Sequence, residues 1–438
     1  MLGMLRIAIV GCGLGGMAAA IALRRQGHEV TLIERFGDPK PLGAGLLLQP
    51  PGLAALGELG LLDEVLGAGQ PILRLDGRTE KGRAVFDVAY PDLHPGAFGF
   101  GIHRGVLFDR LLEAALLEGA ALVTGRMVTG HRLQDGKRVL AAEEGELGPF
   151  DLVVDASGAR SVLREPGRTE RAKPYPFGAV WGIMPMRRGH ETVLQQRYRG
   201  AAKMIGRLPI GRGPKGEGPL AAFFWSLPIA QLQEWPETDM AAWRREVSSI
   251  WPEIEEEIGV FEKPGDLVPA TYNDVVLSAP AGEGIVFLGD AAHGMSPQLG
   301  QGANLAIQDG VALAEAIAAS EHVDAALRAF VRQRAGCWGF YQQMSRALTP
   351  FFQSDSSLLP PLRDAAFARL YRLPFLRRQM LLTLAGFKTG PLSHRRPEAV
   401  LKKVAEANRD VRRPEDCNQS NKLAKTVTVE HNARESAF

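Results

Sequence analysis

Short, wholly apolar runs alternate along this chain with stretches in which apolar residues recur every three or four positions. Arg6-Ile7-Ala8-Ile9-Val10 and Glu29-Val30-Thr31-Leu32-Ile33 read as buried parallel strands. Between them, Met17 to Arg25 has the small and apolar spacing of a helix packed closely on a sheet. The same order recurs late in the chain, with a strand at Ile285-Val286-Phe287-Leu288 and an amphipathic helix from Leu305 to Ile317. Leu152-Val153-Val154 predicts a further central strand. This alternation of strand and helix argues for a parallel sheet. Between Tyr175 and Pro264 the texture changes. Phe177 to Met186, Thr192 to Tyr198, Lys203 to Pro209 and Ala221 to Leu227 predict successive strands, and Met240 to Ile250 predicts a helix. Leu73 to Tyr90 predicts a hairpin added to that sheet, and Gly211 to Pro219 a polar turn. The expected fold class is α/β, with a Rossmann-like parallel-sheet domain, a largely antiparallel sheet domain and a helical C-terminal region.

Two glycine-rich turns give this pattern chemical meaning. The first, Gly11-Cys12-Gly13-Leu14-Gly15-Gly16, follows a strand and opens a helix. Gly11 makes the tight turn, Gly13 lets a pyrophosphate approach, and Gly16 permits close helix–strand packing, with Leu14 and Gly15 completing the loop. Glu34, followed by Arg35, closes the next strand and suits a ribose hydroxyl pair, without separating FAD from NAD. The second turn runs from Gly289-Asp290 through His293, Pro297 and Gly300-Gln301-Gly302-Ala303-Asn304 into a helix. It presents backbone N–H groups free of side chains, and the helix dipole adds partial positive charge. That arrangement suits a cofactor with hydroxyls and a ring that becomes negative when reduced.

Taken together, the two turns resemble class A flavoprotein monooxygenases, the para-hydroxybenzoate hydroxylase-like family that includes ubiquinone-pathway hydroxylases. The resemblance runs from about residue 5 to about residue 345. It implies that the first turn holds the ADP half of FAD and that Asp290 meets ribityl or ribose hydroxyls. It also implies that Pro297 and Gly300 to Gly302 lie against the isoalloxazine ring. Gly43 to Pro50, with Gly45, looks like the family's loop beside the flavin, and Arg104 like its cofactor-contacting arginine at a helix start. One segment departs. After the central strand the family carries an Asp-Gly pair with a downstream Ser and Arg. Here Gly158, Ser161 and Arg164 match, Ser157 stands where the Asp would be, and Asp155 sits two positions earlier. In the family this motif touches FAD and is linked to NAD(P)H binding. A hydroxyl there can still accept a hydrogen bond, without the charge.

The resemblance implies a single-component enzyme in which NADH or NADPH reduces FAD transiently. The reduced flavin then meets O2 to give a C4a-hydroperoxide that hydroxylates or epoxidises an apolar, aromatic or isoprenoid-like small molecule. Only one dinucleotide fingerprint is evident, which fits a visiting nicotinamide and also fits a flavoprotein that never uses NAD(P)H directly. The alternatives are a reductase of the geranylgeranyl-reductase type and a non-redox FAD-binding protein. The candidate catalytic positions are Pro297, Gly300, Gly302 and His293. His293 has a second reading, as a histidine packed at a strand–helix corner. Met295, Trp181, Met204, Phe223 and Trp225 are candidates for an apolar pocket.

Composition narrows the rest. At 438 residues, with 45% hydrophobic and 23% charged positions, the chain has room for two packed domains and a smaller piece. The expected division is 1–75, 98–172 and 266–345 for FAD, 76–97 and 173–265 for substrate, 346–412 for the helical region, and 413–438 for a disordered tail. A net charge of +2 implies no nucleic-acid field. Cys12, Cys337 and Cys417 have no metal or disulfide spacing, and a reducing cytoplasm is the simplest setting. Leu362 to Leu384 mixes Leu, Phe and Met with arginines. It reads either as a membrane-surface helix, placing the protein at the inner face of a membrane, or as a packed helix with a solvated basic face.

Overall fold

The computed structural model describes residues 2–41, 43–165 and 167–410. The tail expected at 413–438, with Cys417, lies outside the described residues. β1 (Arg6–Val10), α1 (Leu14–Arg25) and β2 (Glu29–Ile33) open the chain, followed by β3 (Gly45–Leu48), β4 (Arg74–Thr79), β5 (Ala84–Ala89) and β6 (Gly99–His103). Next come α2 (Arg104–Leu117), β7 (Ala121–Val123), β8 (Leu152–Asp155), β9 (Phe177–Pro185), β10 (Val193–Arg199), β11 (Lys203–Gly211) and β12 (Leu220–Pro228). α3 (Met240–Ile250), β13 (Val268–Ala270), β14 (Ala281–Gly282) and β15 (Ile285–Phe287) lead to α4 (Gly302–Ala318), α5 (Val323–Phe352), α6 (Leu359–Leu370) and α7 (Pro374–Leu384).

Two sheets organise the molecule. The first has six strands in the order β14-β15-β8-β1-β2-β7, parallel except at the β14–β15 edge. β1 sits in its middle, with Ile9 opposite both Val154 and Leu32, so its apolar run is covered on both faces. α1 and α4 pack on this sheet through residues too small to hold them apart. A β-carbon on Gly310 would stand 2.5 Å from Ala19 N, and one on Gly15 would stand 3.0 Å from Ala306 O. The glycine-rich turns before the two helices therefore lie side by side at the carboxyl edge of the parallel strands, where open α/β sheets bind ligands.

The second sheet has seven strands in the order β13-β9-β12-β11-β10-β4-β5, antiparallel throughout except between β10 and β4. The hairpin expected over Leu73 to Tyr90 forms its far edge. The outer face is closed by α3, whose stripe of Met240, Trp243, Val247 and Ile250 is buried. Asp239 caps that helix by accepting from the amides of Ala241 (2.9 Å) and Ala242 (3.2 Å). Phe223, Trp225, Trp243 and Phe261 interlock in the core between them. The sheet's other face looks back at the first sheet.

Two features differ from the sequence reading. Residues 128–150 form a three-stranded meander not anticipated above. Its outer strands, such as Val-Thr-Gly-His-Arg-Leu-Gln at Val128–Gln134, are largely exposed and lack a hydrophobic period, and the middle strand, Lys137–Ala142, is a short run with buried Val139 and Leu140. The boundary expected at 345 falls inside α5, a 30-residue helix. The change of texture there marks its aromatic end, at Phe351 and Phe352, rather than a break in the chain's regular structure.

Candidate functional site

A single cavity of about 1390 Å³ runs from the first glycine turn, past the second, to the space between the large sheet and α5 to α7. Pockets for one drug-sized ligand usually span about 300–1,000 Å³, so there is room for more than one ligand. Gly11, Gly13, Leu14, Gly15, Glu34 and Arg35 line one end. Gly11 has φ +102°, and a β-carbon there would lie 2.6 Å from Ala156 O, so only glycine makes this turn. At Gly13 the nearest atom to an added β-carbon is 3.9 Å away. Gly16 does not line the cavity. Its β-carbon would stand 2.3 Å from Gly11 O, so it serves the packing beneath the turn. Glu34 receives the Cys12 amide at 3.0 Å and the Phe36 amide at 3.1 Å, which fixes its carboxylate beside the turn. The Cys12 thiol is pushed up to about 12 by burial, with Glu34 adding to the shift.

At the second turn, Asp290, Pro297, Gly300, Gly302 and Ala303 line the cavity. Gly300 has φ +61° with nothing within 4 Å of an added β-carbon, and Asp290 Oδ1 lies 3.8 Å from the β-carbon position of Gly302. The first intrahelical bond of α4 runs from Leu305 N to Gln301 O at 2.9 Å, which leaves the amides of Gly302 and Ala303 ahead of the helical ladder. Arg104, at the start of α2, also lines the cavity. Burial depresses its guanidinium, and Asp290 and Tyr272 oppose that shift. Gly45 lines the cavity while lying against the second sheet, where a β-carbon would be 2.6 Å from Ile210 and 2.7 Å from Ala222. Gly158 lies on the wall with φ +90°. A glycine cradle, an acid beside it and a helix start beside a second acid fit an adenine dinucleotide with a ring at its far end.

The segment that departs from the family pattern has a definite structure. Asp155 is fully buried and does not reach the cavity. Its Oδ1 accepts from Ser157 N at 2.9 Å and Ser157 Oγ at 2.6 Å, and Oδ2 accepts from Ser161 Oγ. Burial raises Asp155, and the serine hydrogen bonds and Arg164 act against that rise. The carboxylate therefore ties the loop from beneath through the Ser157 and Ser161 hydroxyls, and Ser157 to Leu163 line the cavity above it.

Beyond the second turn the walls become apolar, with Trp181, Met204, Phe224, Met295, Leu348 and Phe352. Phe223 and Trp225, named as candidates from the sequence, face the outer core instead. Phe224 takes the cavity side, as the two-residue strand period requires. Polar groups interrupt this wall, among them the Trp181–Tyr272 pair, Gln353 and Gln298. Trp181 Nε1 donates to the Tyr272 hydroxyl at 2.9 Å, and burial pushes that phenol up to about 12 against this bond. Gln353 donates through Nε2 to Ser226 Oγ at 2.9 Å while its Oε1 is buried without a partner. Gln298 Nε2 is likewise buried and unpartnered. Neither glutamine has a sequence signal of its own, since each depends on where α5 and the second turn meet.

His293 is not at the site. It is buried, its Nε2 lies 2.6 Å from Asp309 Oδ2, and its ring stacks on Trp338 at 5.1 Å between centroids. The packed reading replaces the catalytic one. Gln301 and Asn304 also stand behind the wall rather than on it. Asn304 Oδ1 accepts from Gln49 N at 2.7 Å, and its Nδ2 donates to Leu47 O (3.0 Å) and Gly300 O (2.9 Å). Gln301 Nε2 donates to Leu299 O (3.2 Å) and Leu384 O (3.0 Å). Both act as braces that hold the lining turns.

Residues 4–335 match a family described as "FAD binding domain". The chain is 28% identical over 350 residues to the aurachin C monooxygenase/isomerase of Stigmatella aurantiaca, covering 74% of this chain and 83% of that protein. It is 26% identical over 322 residues to a 2-heptyl-3-hydroxy-4(1H)-quinolone synthase of Pseudomonas aeruginosa, covering 70% and 79% respectively. Among solved structures, HpxO of Klebsiella pneumoniae complexed with FAD and uric acid superposes with a TM-score of 0.73 at 20% identity, covering 89% of this chain and 98% of that one. At that identity the likeness is one of fold.

Proposed function

The chain belongs to the FAD-binding-domain family matched over residues 4–335, and on that premise we propose that it is a monooxygenase that uses NADH or NADPH and O2 to hydroxylate or epoxidise an apolar, aromatic or isoprenoid-like small molecule. The observation that carries this reading is the continuity of the cavity, from the Gly11–Gly16 turn to a chamber walled by Trp181, Met204, Phe224 and Phe352. Bound FAD supplies the redox chemistry, taking a hydride and activating oxygen.

The protein's own residues do the rest. Gly13 and the start of α1 receive the pyrophosphate, and Glu34 takes the adenosine ribose. Asp290 and Arg104 hold the middle of the cofactor. The amides of Gly302 and Ala303 favour negative charge where the ring's edge would lie. Trp181, Phe224 and Met204 exclude water from the space beside it. Tyr272, Gln298 and Gln353 orient the substrate through the few polar groups in that wall. The product name of the Pseudomonas relative describes a polar-edged ring with a seven-carbon chain, and an apolar chamber with two unpartnered amide atoms suits that shape. Residues 1–75, 98–172 and the segment from 266 into α5 would hold FAD, with 76–97 and 173–265 over the substrate. The buried free thiols Cys12 and Cys337 accord with a cytoplasmic setting.

The test is oxygen uptake by the purified yellow protein with NADH or NADPH, against a panel of aromatic and prenylated compounds. Uptake stimulated by one compound, with one oxygen atom in the product, is the expected result. FAD that is reduced without oxygen transfer to any compound would favour a reductase, and FAD that resists reduction would favour a non-redox role.

A further inference from the structure

The far end of the cavity is lined by α6, α7 and the loop at Leu392, and its rim has an unusual composition. Leu370, Phe375 and Leu392 line the cavity and are also exposed, Phe375 by 70% and Leu392 by 92%. Leu373, on the connection between the two helices, is 53% exposed. Around them stand Arg369, Arg372, Arg377 and Arg378, all exposed. No Asp or Glu occurs in the sequence between Asp364 and Glu398, and Asp92, held by the Tyr371 hydroxyl at 3.1 Å, is an acid from another element beside this connection. The helices are otherwise well anchored. Leu381 and Leu382 of α7 are buried, and Arg363 of α6 is buried with its Nη1 donating to Gly200 O (3.1 Å) and Phe351 O (2.9 Å). So the connection and its flanks present apolar side chains outward from a fixed base.

We propose that this rim docks on a lipid bilayer bearing anionic headgroups, and that the cavity takes its substrate directly from the bilayer. The proposal rests on reading the chamber as the substrate site. Apolar side chains exposed together mark an interaction surface. Leucine and phenylalanine beside arginine at the helix connection give the interfacial pairing, in which apolar groups enter the acyl boundary while cations meet the headgroups. A nucleic acid or an acidic protein would satisfy the arginines but leave the apolar rim in water. A bilayer satisfies both, and it lets a lipophilic molecule pass from acyl chains into an apolar cavity without crossing water. No helix among the described residues is long and apolar enough to cross a membrane, so this contact is with one face.

The test is flotation of the FAD-loaded full chain with phosphatidylcholine vesicles, with and without one-third phosphatidylglycerol, at low and high salt. Retention on the anionic vesicles at low salt is expected, with release at high salt. Each arginine near an anionic surface contributes roughly fivefold, so R377Q/R378Q should lower partitioning at least tenfold, and L373S should lower it as well. Both variants should keep their FAD absorbance. Absence of retention by the parent, or retention by both variants equal to the parent's, would overturn the proposal. So would a dimer in sedimentation that L373S abolishes, since a second copy would then cover the rim. Flotation is read without turnover, so failure of the monooxygenase reading would appear in oxygen uptake and leave it unchanged.

Discussion

Single glycines in the first turn carry different duties, and substitution separates them. Gly13 has φ −87°, which any residue adopts, and its side-chain direction is open to the cavity. Gly16 faces the Gly11 carbonyl at 2.3 Å from an added β-carbon. We therefore predict that G13V folds with an unchanged melting profile of the FAD-free protein but purifies colourless. G16V should instead lose about 1–3 kcal/mol of stability through overpacking, measured by urea unfolding of the FAD-free form. Equal stability of the two variants would contradict this assignment. The duties of the glycines were legible in the sequence because backbone geometry fixes them within one turn. The duties of His293, Asp155 and Phe223 were not. Each depends on which side of a strand or helix the partner lies, and that is set by tertiary packing. His293 sits in the right segment, but Asp309 lies sixteen residues on and draws its ring inward. Phe223 and Trp225 were separable from Phe224 only through the alternation of β12, once one face of the sheet had been assigned to the core.

Asp309 also shows how whole elements are tied. It lies on α4 and accepts four hydrogen bonds, from Gly289 N (3.2 Å), His293 Nε2 (2.6 Å), Arg334 Nε (2.8 Å) and Trp338 Nε1 (2.9 Å). It thereby joins the turn after β15, the helix α4 and the helix α5. Burial acts to raise Asp309, but the Arg334 and His293 charges together with the His293 and Trp338 hydrogen bonds outweigh it and hold the carboxyl below its ordinary value of 3.8. A depressed carboxyl contributes stability that is complete above the unfolded value and is lost as pH falls through the folded one. D309N leaves Arg334 buried without its counter-charge, which should cost about 3–5 kcal/mol. We expect that difference from the parent in denaturant unfolding near neutral pH, shrinking once the pH falls below 3.8. A gap independent of pH would show that the charge on Asp309 is not its source. The strands and helices joined here were readable from apolar runs and helical spacing, α4 from Leu305 onward among them. The ion pair that joins them was not, because a buried arginine on a long helix has the same local sequence as an exposed one.

At the scale of the molecule, the two sheets enclose a single cavity, and the ring end of the cofactor would share it with the substrate. Distance from the second turn should then govern which part of a substrate is sensed where. Met204 on β11 is buried, belongs to the apolar wall and lies on the sheet rather than on the nucleotide turns. M204W adds bulk to that wall alone. One methylene misfitted in a hydrophobic pocket changes discrimination by about 10–200-fold. We therefore predict that M204W lowers kcat/KM for a ring bearing a long alkyl or prenyl chain at least tenfold more than for the same ring without the chain. The measurement is product formation for such a pair in parent and variant, at matched FAD content. An equal loss for both members would mean that Met204 touches the ring itself and that the chamber ends there. An equal loss would also remove the reason for a lipophilic tail to extend toward Phe375 and the α6–α7 rim. The pair of substrates thus tests whether the cavity is used along its whole length, which neither the fingerprint near residue 11 nor the turn near residue 300 could decide from sequence.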